Sequence, residues 1–203
     1  ETGHYDYTNS APNDSVYSII TYNIGYLSGM TNNLPLERPK SLFDQNLKTV
    51  VSELKKANAH IVAFQEIDYN SKRSYYVNQQ KEISKLGYPY YGQNINWDKK
   101  YVPFPYYPFS LHFGKILSGQ SILSKYPVLE QERIALQRNP GNPFYYDSFY
   151  IDRLAQVCKI KIGDKTLVLI NVHLEAYDRE TRRKQMQQVK NIYIKYYKDF
   201  PTI

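Results

Sequence analysis

His60–Ile67, HIVAFQEI, decides the fold. It is a short apolar run that begins two residues after Asn58, a helix stop, and carries its first charge at Glu66. Such a run, with no alternation of polar and apolar side chains along most of its length, predicts a strand buried on both faces. Upstream, Ser41–Ala57 sets Leu42, Phe43, Leu47, Val50, Val51 and Leu54 at helical spacing, with Ser41 as the expected N-cap. Before it, Tyr17–Ile24, YSIITYNI, is rich in β-branched and aromatic residues and runs into Gly25, which predicts the first core strand. The order is therefore β-α-β, with Asn23 and Glu66 at the ends of neighbouring strands.

Downstream, residues 74–86 are expected to form a second helix with Tyr76, Ile83 and Leu86 inward. Gly87-Tyr88-Pro89 breaks it, and a strand follows over 90–94. From Trp97 to Phe113 the chain holds three prolines and seven aromatic residues, which predicts a long loop. Ser121–Ser124 and Val128–Leu136 read as strands around the Tyr126-Pro127 turn. A second aromatic loop, Asn139–Tyr150, precedes two strand-like runs, Asp152–Ile162 and Thr166–Leu174, joined by Gly163-Asp164-Lys165 as a hairpin turn. Asp178–Tyr197 predicts a closing helix with Met186, Val189, Tyr193 and Tyr196 on one stripe, and Pro201-Thr202-Ile203 the start of a further strand.

The 203 residues, 42% hydrophobic and 22% charged, suit one domain and exclude a disordered chain. No apolar run approaches the roughly 20 residues of a membrane span. Residues 1–15 are polar and read as a linker; Glu1-Thr2-Gly3 matches a vector-derived scar left after signal cleavage, which implies an exported, secreted protein. Asn13-Asp14-Ser15 fits a glycosylation acceptor. A lone cysteine, Cys158, excludes an intrachain disulfide and reads as an inert buried thiol. The net charge of +7 favours polyanions without choosing among nucleic acid, anionic lipid and small phosphates. Its lysines are spread, apart from the basic run Arg179, Arg182, Arg183 and Lys184.

Four polar residues at strand ends can carry chemistry together. Glu66 offers a carboxylate to a hard cation such as Mg²⁺, which takes one or two carboxylates beside phosphate oxygens and water. Asn23 can orient that carboxylate or an attacking water. Arg153 presents a planar fork suited to phosphate, with an ion pair to Asp152 or Glu175 as its ordinary alternative. His173, ending LVLINVH, can titrate near neutral pH and donate a proton. His4, His60 and His112 lack comparable settings.

These segments resemble the endonuclease/exonuclease/phosphatase superfamily over about residues 16–203. TYNIG looks like its first motif and FQEID its second; GQSILSKYPV, DRLAQV and NVHLEA follow in the family's order. The resemblance implies a DNase-like four-layer α/β sandwich with mixed sheets. It implies Mg²⁺ or Mn²⁺ on Glu66, phosphate contacts from Arg153 and His173, and catalytic support from Asn23, with Asn171 as a supporting residue behind them. The family pattern continues with G-D-x-N and an Asp-His pair, neither of which occurs here, so the chain resembles roughly the first two-thirds of such an enzyme. The expectation is a metal-dependent phosphodiesterase, a nuclease first, whose 203 residues alone are inactive and are completed by further chain or a second polypeptide. A lipid or sugar-phosphate phosphoesterase, and a non-catalytic module that binds polyanions or proteins, stand as alternatives. The 22 tyrosines, if their loops border the site, would set substrate choice.

Overall fold

A computed structural model describes residues 1–7, 11, 12, 14–32, 34–143, 149 and 151–203. Asn13 of the glycosylation triplet and half of the second aromatic loop, residues 144–148 and 150, lie outside the described residues.

The chain forms two sheets packed face to face between helices. The first holds five strands in the order β1 (Thr2–His4), β4 (Tyr90–Val102), β5 (Gly114–Ser124), β3 (Ile61–Asp68) and β2 (Ile19–Asn23). The second holds β6 (Val128–Ala135), β7 (Leu154–Ile162) and β8 (Lys165–His173). Strands β2 and β3 are parallel, from Ile19 opposite Ile61 to Asn23 opposite Gln65, and α1 (Lys40–Ala57) makes the crossover between them. All other strand pairs within the sheets are antiparallel. The result is the mixed, four-layer α/β architecture.

HIVAFQEI is buried on both faces, as its pattern requires. Val62 and Phe64 face Phe43, Val50 and Leu54 of α1, and burying each of those three helix residues contributes roughly 1.5–3 kcal/mol. Ile61 and Ala63 point the other way, into the layer between the sheets, against Cys158, Ile160 and Leu169. Outside the second sheet, α3 (Arg179–Tyr197) covers Val157 and Val168 with Ile192. Gly119 marks the closest approach of β5 to β4: a Cβ there would lie 1.9 Å from the Asn94 carbonyl oxygen.

Several local expectations are corrected. Thr2–His4, set aside as scar and linker, forms an edge strand on β4 because its backbone groups find partners at residues 90–92. Helix α1 starts at Lys40 after Pro39, with no side-chain cap, so Ser41 lies inside the helix. The second helix, α2, is only Gln79–Ser84: Tyr75 and Tyr76 take left-handed φ values of 57° and 60°, and Tyr76 is exposed. Asn78 caps it by accepting from the Lys81 amide at 2.9 Å. Trp97–Val102 continues β4 instead of opening a loop, since it contains no proline and stops immediately before Pro103. Strand β5 starts at Gly114, well before Ser121.

The hairpin of β7 and β8 forms, closed by Gly163 and Asp164 between Ile162 and Lys165. The inner face of α3 follows Thr181, Gln185, Val189, Ile192 and Tyr196, so Met186 and Tyr193 are exposed where the stripe placed them inward. Pro201–Ile203 runs parallel beside β8, bonded through Val168 and Ile170. No helix among the described residues is long and apolar enough to cross a membrane.

Candidate active site

Glu66 reaches the site through a break in β3. The pairing of β3 with β5 slips between Phe64 and Ile67, whose partners are Ser121 and Gly119, so Gln65 and Glu66 together oppose one residue. Glu66 has φ of 53°, a left-handed conformation uncommon for a residue with a Cβ. A bulge of this kind re-aims a side chain. Gln65 stays in the layer between the sheets while the Glu66 carboxylate turns to the strand end.

Two amides hold that carboxylate. Asn23 donates Nδ2 to Glu66 Oε1 at 3.1 Å, and its own Oδ1 accepts from the Gly25 amide at 3.0 Å, which fixes the orientation of the group. Asn32 donates to Glu66 Oε2 at 2.8 Å. Asn23 thus acts on the carboxylate, the first of the two roles expected of it. Asn32 escaped the sequence reading altogether, because an asparagine in a loop carries no signal that it folds back across 34 residues.

Arg153 and His173 come from the second sheet. The register of β7 and β8 sets Leu154 opposite His173, so Arg153, one residue earlier, lies at the same sheet end. Its Nη1 is 2.8 Å from His173 Nε2, and His173 Nε2 is 3.4 Å from Glu66 Oε1. The alternative partner of Arg153 is present as well: Glu175 Oε2 lies 3.7 Å from its Nε. Asp152 turns away to Arg133 and Arg138.

Burial, and then the Arg153 charge, lower the His173 pKa to about 4. The imidazole is therefore neutral at pH 7, accepts from Arg153 through Nε2, and makes no ion pair with Glu66. This differs from the expected group titrating near neutral pH. Two forces favour the neutral ring, loss of water and a neighbouring cation.

Asn171 sits behind these residues in the layer between the sheets, buried in a network of amides. It accepts from Gln65 Nε2 at 2.6 Å and donates to the Phe64 carbonyl and to Gln156 Oε1 at 3.0 and 3.1 Å. Gln120 donates to its carbonyl at 3.2 Å. Asn171 therefore braces the backbone that leads into the Glu66 bulge and does not enter the cleft.

The cleft encloses about 290 Å³ and has two unlike ends. Glu66, Asn32, Arg153 and His173 line one; Trp97, Val102, Phe104 and Phe113 line the other, with Tyr106 and Tyr177 exposed at its mouth. The first aromatic loop thus borders the site. Behind that wall, Arg73 pairs with the fully buried Asp68 through Nε and Nη2 at 3.1 and 3.0 Å, and its guanidinium lies 3.4 Å from the Tyr26 ring centroid.

The donor set fits a single hard cation held by one carboxylate. Each Glu66 oxygen holds one amide hydrogen bond and keeps a further lone pair. Among the described residues no group of three or more His, Cys, Asp or Glu side chains could hold a metal, so phosphate oxygens and water would complete the shell. Cys158 offers no alternative chemistry: burial pushes its thiol up to about 12.

A sequence profile of the endonuclease/exonuclease/phosphatase family matches residues 20–201, and the chain belongs to that family. No curated protein sequence matches it. Its fold is shared with an endonuclease/exonuclease/phosphatase from Beutenbergia cavernae at a TM-score of 0.59 and 13% identity, covering 86% of this chain and 43% of that one. It is also similar to ANGEL2, a 2′,3′-cyclic phosphatase (TM-score 0.54, 16% identity, 87% and 47% covered). A humanized D. rerio TDP2 aligns at TM-score 0.52 and 18% identity, covering 89% and 60%. The chain thus spans between 43% and 60% of the length of these structures.

Proposed function

We propose that this chain carries the cation- and phosphate-holding part of a divalent-metal-dependent phosphodiesterase. The observation that supports it is the convergence of Glu66, Arg153 and His173, from both sheets, at one end of a single cleft. In this reading Glu66 holds Mg²⁺ or Mn²⁺, with Asn23 and Asn32 fixing both carboxylate oxygens. When bound, the cation would neutralise charge developing on the phosphate and lower the pKa of an attacking water.

The remaining work belongs to the chain's own residues. Arg153 presents its fork to the non-bridging phosphate oxygens, and Glu175 at 3.7 Å opposes its rotation away from the cleft. His173 starts neutral and offers an N–H to the phosphate or the leaving oxygen once the anion displaces the Arg153 contact. Water activation comes, in this reading, from groups outside these 203 residues, on further chain or on a second polypeptide. An exported location belongs to the same proposal.

The test is direct binding and turnover. Manganese binding should be measurable by electron paramagnetic resonance and lost in Glu66→Gln, while bis(4-nitrophenyl) phosphate turnover by the completed protein should stop with chelator and return with Mg²⁺ or Mn²⁺. Undiminished manganese binding in Glu66→Gln would overturn the proposal.

A further inference from the structure

We infer that the apolar end of the cleft is a subsite for a planar aromatic ring carried by the phosphate ester. This deepens the phosphodiesterase reading and rests on it. Three rings form a connected wall: Trp97 and Phe113 meet edge to face at 6.3 Å and 78°, and Phe104 and Phe113 at 5.3 Å and 64°. Phe104 also meets Tyr106 at 6.1 Å and 76°. Rings stacked in this alternating sense present faces and edges to a further ring, because the ring quadrupole favours edge-to-face and offset contacts.

The wall is held rigid. Trp97 donates its indole N–H to the Phe149 carbonyl at 2.9 Å, so the ring is pinned and its polar atom is satisfied. Phe113 is buried against Val102 and Ile116. The buried Arg73 guanidinium lies 5.0 and 5.3 Å from the Trp97 and Phe113 ring centroids and is tied to Asp68, which fixes the wall from behind. A rigid apolar wall lowers the ordering cost of binding a flat group.

The charge pattern points the same way. Of the described residues lining the cleft, Arg153 alone carries a permanent positive charge, whereas a polynucleotide held by its backbone calls for a track of several cations. The anionic group therefore meets Arg153 and the cation site, and the remaining space receives an uncharged ring. That ring can be an aryl group on the ester itself or a nucleobase one sugar away, and the two share the stacking chemistry.

Isothermal titration with non-hydrolysable phosphonates, at saturating Mg²⁺, tests the subsite without turnover. Phenylphosphonate should bind about tenfold or more tightly than methylphosphonate, in line with one stacked ring. Phe104→Leu, which keeps apolar volume but removes the ring, should reduce that ratio to below about threefold; Trp97→Leu is the second variant should the first misfold. A nucleoside 5′-phosphonate that outbinds phenylphosphonate would support the subsite and assign the ring to a nucleobase. Equal affinity for phenyl- and methylphosphonate, or cyclohexylphosphonate binding as well as phenyl, would overturn the ring subsite while leaving the phosphate site standing. Binding of neither phosphonate would overturn the phosphate site and the subsite with it.

Discussion

Arg153 Nη1 lies 2.8 Å from Nε2 of His173, and burial, with the arginine cation adding to it, keeps that imidazole neutral, with a pKa of about 4. His173 is thus held by a hydrogen bond it accepts from Arg153 rather than by one it donates. Anion binding between the two groups would reverse that relation, since phosphate oxygens would take the arginine's hydrogen bonds and favour an imidazole N–H.

The same pKa predicts a dependence of stability on pH. The folded value of about 4 is below the ordinary 6.5, so between these values the unfolded chain binds a proton that the folded chain does not. The stabilisation is present above pH 6.5 and is lost as pH falls toward 4, by up to about 3 kcal/mol. Urea unfolding at half-unit steps from pH 4 to 7 should show this slope, and His173→Gln should remove most of it. An unchanged slope in the variant would place the titrating group elsewhere.

Glu66→Gln keeps the shape of the side chain and removes its charge. If Glu66 holds the cation as proposed, phosphodiester turnover should fall by roughly 10²–10³-fold, the scale of losing several kcal/mol of metal stabilisation. Stability should fall by about 1–3 kcal/mol, because the amide oxygen accepts one of the two asparagine hydrogen bonds while the new amide nitrogen faces the other asparagine's donor. Initial rates at saturating substrate, with Mg²⁺ varied, check the first point, and calorimetry the second.

Arg73→Met leaves the Asp68 carboxylate buried without its cation. Because Asp68 is fully buried, the expected cost is about 3–5 kcal/mol, and the double variant Asp68→Asn with Arg73→Met should recover part of it. Chemical denaturation of the single and double variants measures the difference. If the single variant costs under 1 kcal/mol, the pair does not hold the aromatic wall.

Asn171→Ala strips partners from Gln65, Gln156 and the Phe64 carbonyl at once. It should destabilise the protein by about 1–3 kcal/mol or more, since buried polar groups lose bonds that water cannot replace. It should also loosen the Glu66 bulge. Amide hydrogen exchange at residues 64–67 reads that effect, and unchanged protection there would confine Asn171 to a purely inter-sheet role.

The sequence by itself determined the β-α-β start, the β7-β8 hairpin, the closing helix and the positions of Asn23, Glu66, Arg153 and His173 at strand ends. Those features rest on local signals: periodicity of two or 3.6 residues, turn glycines and the helix stop at Asn58, each complete within a short window. Even there, helix faces shifted where one residue of rotation separates alternatives, as at Met186 and Tyr193 of α3, each one residue beyond the inward Gln185 and Ile192. Only the tertiary structure decided the bulge that turns Glu66 out of its strand, the Asn32 hydrogen bond to its carboxylate, the neutral state of His173 and the ring wall that lines the same cleft as Arg153. Each of these depends on groups brought together across long stretches of chain, 34 residues for Asn32 and Glu66 and 106 for Gln65 and Asn171. Desolvation and close packing act on what is near in space, and a residue's neighbours in sequence do not specify that environment.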